Sequence, residues 1–121
     1  MKENLMTIKR HEGLAVFSSV VEHGGLVYVS GLVPKDRTLD VGGQAKDIFN
    51  QIDANLAKAG IDKTRLLKAE IWLKHIERDF AAMNAAWLDW VDPDHLPVRV
   101  TSEANLASPD ILIEIMVTAA K

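Results

Sequence analysis

The chain has 121 residues, 48% of them hydrophobic and 26% charged, a composition that fits one folded domain and excludes a disordered or fibrous class. A formal charge of −3, with no block of lysine or arginine, leaves no electrostatic footprint for nucleic acid or an anionic membrane. The absence of cysteine excludes disulfides, a thiolate nucleophile and sulfur-ligated metal; no signal peptide or membrane span is legible, and the expected location is the cytoplasm.

Along the chain, β-rich runs at 15–21 and 26–32 flank Glu22, His23, Gly24 and Gly25, and paired glycines tolerate the positive φ of a tight hairpin. Ala45, Ile48, Ile52, Leu56 and Ala59 then recur at helical spacing through 44–60, with Gly60 at the expected C-terminus. "RLLKAEIWLK" alternates Leu67, Ala69, Ile71 and Leu73 against Lys68, Glu70, Trp72 and Lys74, the period of a strand. "RDFAAMNAAWLDWV" predicts a second helix with Phe80, Met83, Asn84, Trp87 and Val91 on one face and Asp79 as N-cap.

"PVRVTSEA" and "DILIEIMVT" predict the last two strands, joined by "NLASP". Alternation groups Arg99, Thr101 and Glu103 on one side of the first, and Leu112, Glu114 and Met116 on one side of the second. Ile111, Ile113, Ile115 and Val117 form a uniformly apolar side that must meet helices. The order is therefore β-β-α-β-α-β-β in a single α+β domain, 1–121, with both helices on one face of the sheet. The other face is expected to carry Arg99, Thr101 and Glu114 with Leu112, Met116 and Trp72, a mixture that self-association would cover, which places Arg99 near a subunit interface.

Several chemistries lack their residues. Gly24-Gly25 and Gly42-Gly43 have neither the spacing nor the lysine of a phosphate cradle. His11, His23, His75 and His95 are scattered without metal-ligand spacing, and Ser18, Ser19 and Ser30 have no assignable base. Arg99, on an otherwise apolar strand, either pairs with Glu114 or Glu103 or offers its planar fork to a ligand carboxylate. Asn84 reads as a buried amide satisfied by backbone or as a ligand contact, and Trp87 and Trp90 as core or interface filler.

Taken together, "VYVSGLVP" at 27–34, "QAKDIFNQIDANLAKAG" at 44–60, "FAAMNAAW" at 80–87, "PVR" at 97–99 and "PDILIEI" at 109–115 resemble the RidA (YjgF) family of reactive-intermediate deaminases. The resemblance implies a chorismate-mutase-like mixed sheet and a homotrimer with sites in clefts between subunits. It also implies metal- and cofactor-free hydrolysis of small 2-imino acids to 2-oxo acids and ammonia; an RNA-cleaving activity sometimes attached to the family is disfavoured here by the acidic charge balance, which leaves no nucleic-acid or membrane partner expected. Arg99 falls on the family's carboxylate-binding arginine, Asn84 on its helix asparagine, and Ser30 and Gly31 on its pocket pair.

Four positions depart from that pattern. Phe17 replaces a tyrosine, Thr101 a cysteine, and Leu32 a frequent glutamine. The resemblance matches Glu114 to a structural glutamate and puts Met116 where active members position water with a carboxylate. The expected pocket is thus Phe17, Ser30, Gly31, Asn84, Arg99, Thr101 and Met116, with Arg99 the catalytic anchor. The alternative is a non-catalytic trimer of the same fold that binds small carboxylates or acts as a chaperone.

Overall fold

Gly24 and Gly25, at φ of 62° and 78°, turn the chain between β2 (Ser18–His23) and β3 (Leu26–Val29), forming the hairpin that the paired glycines predict. The computed structural model describes residues 6–121. An additional strand, β1 (Lys9–Gly13), pairs antiparallel with β2 and is absent from the sequence reading. Its sequence KRHEG is mostly exposed on both sides, so no apolar alternation marks it. Residues 15–17 lie outside β2 because the Leu14 N–H donates to the Phe17 carbonyl at 2.6 Å, closing a turn.

Helix α1 (Val41–Lys58) starts where the Asp40 carboxylate accepts from Gly43 N, and buries Ala45, Ile48, Phe49, Ile52 and Leu56. Helix α2 (Ile76–Trp90) begins before Asp79, which is therefore not its N-cap. His75 occupies that position without a side-chain bond, while Glu103 accepts from Ile76 N at 3.0 Å. Asp79 is buried and pairs with Arg78 at 2.8 Å. The inner face of α2 is Met83, Ala86, Trp87 and Trp90; Phe80 is exposed and Asn84 half-buried.

Strands β4 (Leu66–Leu73), β5 (Val98–Glu103) and β6 (Ile113–Ala120) complete a sheet of order β1-β2-β3-β6-β4-β5. β6 starts at Ile113 rather than Asp110. The β4–β5 pair is parallel because α2 carries the chain back between them; all other pairs are antiparallel, so the sheet is mixed. Both helices cover one face, where Val20, Val27, Val29, Ala69, Ile71, Leu73, Ile113, Ile115 and Val117 are buried. Among the described residues no helix is long and apolar enough to cross a membrane.

The register overturns one expectation. Arg99 pairs with Ala69 and Thr101 with Ile71, so both lie on the helix-covered face and not on the open one. The open face instead carries Val98 and Val100, 69% and 54% exposed, with Glu70, Trp72, Glu114 and Met116. The reason is position: β5 is an edge strand bonded only to β4, and the helices do not extend fully over it. Its inner side therefore accepts polar side chains that a central strand would exclude.

Entry into β6 is set by Gln44, fully buried on α1. Its amide donates to the carbonyls of Leu39 at 3.1 Å and Asp110 at 2.9 Å, and its oxygen accepts from Leu112 N at 2.9 Å. Gln44→Leu leaves these backbone groups without the partner that the fully buried amide supplies, and is expected to cost about 2–4 kcal/mol. Urea denaturation at fixed protein concentration checks this; a loss below about 0.5 kcal/mol, the size of an ordinary surface change, would contradict the role given to Gln44.

Candidate functional site

Arg99 is half-buried and has no acidic partner among the described residues. The ion pairs that sequence allowed do not form: Glu103 is engaged at the start of α2, and Glu114 lies on the opposite face of the sheet. Its close neighbour is instead Trp87, whose ring centroid is 5.3 Å from the guanidinium carbon. Burial pulls the Arg99 pKa below the usual guanidinium value, although an arginine stays charged at neutral pH. Two residues along the same face, Thr101 Oγ1 is buried without any hydrogen-bond partner. An unpaired cation beside an unpaired hydroxyl is an incomplete arrangement that a carboxylate ligand would satisfy. Asn84 lies one helical turn before Trp87, half-buried and with no side-chain hydrogen bond to a described residue.

A second group lies on the other side of the sheet. Leu32 bridges Ile115 through reciprocal backbone bonds of 2.8 and 3.0 Å, bringing the Ser30–Gly31 segment onto β6. There Gly31 meets the Glu114 carboxylate: a methyl group at position 31 would stand 2.6 Å from Glu114 Oε2. Ser30 N donates to Ser19 O at 2.9 Å, and exposed Phe17 lies two residues before Ser19. Trp72 stands directly opposite Glu114 on β4, and Met116 opposite Glu70.

Glu114 is half-buried and accepts no hydrogen bond from a described residue, and burial pushes its pKa above the ordinary carboxylate value. Glu22 provides the contrast. Burial also raises its pKa, but bonds from Lys121 at 2.6 Å and His11 at 2.5 Å outweigh that and hold it below the usual range. Glu22 is thus a completed cluster and Glu114 an uncompleted one.

The expected pocket residues consequently separate into two half-sites. Arg99 and Thr101, with α2 carrying Asn84, lie on the helix-covered side; Gly31, against Glu114, and Met116 lie on the open side, with Ser30 next to Gly31 in the chain and Phe17 in the turn that precedes β2. Within one chain the sheet itself lies between Arg99 and Glu114. Sequence reasoning overlooked Glu114 as the carboxylate against Gly31, because alternation puts Glu114 and Met116 on the same side and cannot tell which one the glycine meets. It also read Trp87 as filler, although Trp87 follows Asn84 by one helical turn. Among the described residues no three histidine, aspartate or glutamate side chains converge as a metal centre requires.

Comparison with known proteins accords with this architecture. The family described as Endoribonuclease L-PSP matches residues 7–121. The chain is 43% identical over 115 residues to the RutC family protein YoaB of Escherichia coli, covering 95% of this chain and 99% of that protein. It is 40% identical over 104 residues to a RutC family protein of Haemophilus ducreyi, covering 86% and 88% respectively. The crystal structure of a YjgF-family member from Neisseria meningitidis superposes with a TM-score of 0.91 at 36% identity, covering 98% of each chain. With the same six-stranded sheet, the same helix-covered face and a match over nearly its whole length, the chain belongs to the RidA (YjgF) family.

Proposed function

We propose that the chain hydrolyses small 2-imino acids to 2-oxo acids and ammonia without a cofactor, at sites completed between copies of a homotrimer. The observation that carries this reading is Arg99, a half-buried cation with no anion of its own beside the orphaned Thr101 hydroxyl. Its fork grips the substrate carboxylate where water is scarce, and so orients the electrophilic imine carbon. Exposed Val98 and Val100 on the open face support association of copies, which would cover them. Association also supplies what one chain lacks, a neighbour's Gly31–Glu114 half-site facing Arg99.

In this reading Glu114, rather than position 116, provides the carboxylate that handles water. It removes a proton as water attacks the iminium carbon, giving a tetrahedral carbinolamine. The proton then passes to nitrogen, the C–N bond breaks, and ammonia leaves as the hydroxyl collapses to the carbonyl. The remaining hydroxyl proton completes ammonium, so one iminium and one water become one 2-oxo acid and one ammonium ion. A desolvated carboxylate is a stronger base than a solvated one, which suits the first step.

A second reading, a carboxylate-binding trimer without turnover, is favoured by Phe17 and Met116, neither of which can move a proton. The formal charge of −3 argues against extending the ribonuclease in the family description to this chain. An assay in which an amino-acid oxidase releases imino acids and semicarbazide traps the unhydrolysed fraction separates the remaining two. Imine loss is expected to be faster with wild type and to fall to the uncatalysed rate with Arg99→Ala. Binding of 2-oxo acids without any acceleration, across several imino acids, would establish the binding protein instead.

Glu114→Gln is expected to lower kcat by about 10²–10⁴-fold, the usual weight of a general base. Because Glu114 acts deprotonated, wild-type kcat/KM is expected to fall with decreasing pH along an acid limb, which burial of Glu114 moves up and a neighbour's Arg99 moves down, and the variant to lack that limb. A limb unchanged in Glu114→Gln would remove Glu114 from the chemistry.

A further inference from the structure

We infer that Trp87 is a positioning residue for Arg99: its indole face holds the guanidinium in place while leaving the donor fork open for a carboxylate. This rests on the proposed carboxylate-binding role of Arg99. A buried arginine ordinarily pairs with an acid, and such a partner would occupy the same N–H donors a ligand needs. Carboxylates from neighbouring elements are already engaged. Glu103 accepts from Ile76 N, Asp53 accepts from Trp90 Nε1 at 3.1 Å, and Asp79 binds Arg78. An aromatic face attracts the cation electrostatically without accepting its hydrogen bonds, so it offsets desolvation and leaves the fork unspent.

The ring itself is held rigidly. Trp87 is 6% exposed and meets Phe49 and Trp90 edge-on, with centroids 6.0 and 5.7 Å away. Phe49 and Trp90 are in turn stacked at 4.5 Å with an interplanar angle of 2°, and Trp90 is fixed by its bond to Asp53. Lys63 makes the contrasting case within the same cluster. Its ammonium lies 5.5 Å from the Trp90 ring but donates to the Trp90 carbonyl at 2.5 Å, so it is committed to structure. Arg99 has the ring contact without such a commitment.

The test compares wild type, Trp87→Phe, Trp87→Leu and Arg99→Ala for binding of 2-oxobutanoate and of its uncharged amide by calorimetry, with kcat and KM from the imine-trapping assay. Trp87→Leu is expected to weaken 2-oxobutanoate about tenfold and to raise KM without changing kcat, in line with loss of a desolvated cation–π contact. Trp87→Phe, which keeps an aromatic face, is expected to stay within about threefold of wild type. Amide binding is expected to be equal in all four proteins. Trp87→Met substitutes for the leucine variant if that variant fails to assemble. A folded leucine or methionine variant that binds 2-oxobutanoate as wild type does, or that loses acid and amide equally, would overturn the positioning role. Wild type that does not prefer the acid over the amide would overturn the reading of Arg99, and this inference with it.

Discussion

A guanidinium taken partly out of water without an anion is the constraint on which the rest of the structure turns. Desolvating a cation costs free energy that a fold normally recovers by pairing it, and here the recovery is left incomplete. Glu114 has the same deficit with the opposite sign, and the two charges would neutralise each other if they met. They are kept apart by register. Arg99 pairs with Ala69 and Glu114 with Trp72, neighbours of opposite parity on β4, so the sheet lies between them. A one-residue slip of β5 would bring Arg99 to the open face with Glu114 and remove the unpaired cation.

That separation depends on interactions remote from the charges. Gln44 holds the chain entering β6 through Leu112, which sets the parity of Glu114 and its approach to Gly31. Glu103 anchors the first turn of α2, and the Phe49–Trp90 stack fixes its last turns, so that Trp87 faces Arg99. The exposed valines of β5 are the outward side of the same alternation: turning Arg99 and Thr101 inward turns Val98 and Val100 outward. In the proposed trimer one register both leaves the cation unpaired within its own chain and presents the apolar surface that recruits the copy whose Glu114 handles water, with the substrate carboxylate taking the Arg99 fork.

Most of this fold was legible because its core elements have clean periods. The Ile113, Ile115, Val117 alternation, the Ala45–Leu56 helical repeat and the Gly24–Gly25 hairpin each fall where the sequence indicated. β1 was not legible, since a mostly exposed edge strand carries no apolar signature. The start of α2 was missed because its first N–H is capped by Glu103, distant in sequence, rather than by a local side chain. For the site, Arg99 stood out as a cation on an apolar strand and Thr101 entered through the family resemblance, but their face was misjudged. Alternation says which residues share a side, and only pairing with β4 says which side that is. Glu114 against Gly31 required the Leu32–Ile115 bridge, a contact between segments far apart in the chain.

The central claim is that Arg99 of one copy and Glu114 of another act on the same substrate. Mixing Arg99→Ala with Glu114→Gln, after dissociation and reassembly, tests it directly. Each variant alone is expected to be inactive in the imine-trapping assay. In random mixed trimers about a quarter of the sites would combine an intact Arg99 with an intact Glu114 from its neighbour, and activity near that fraction of wild type is expected. Mixed assemblies as inactive as either parent, with exchange of copies verified, would contradict a site shared between subunits.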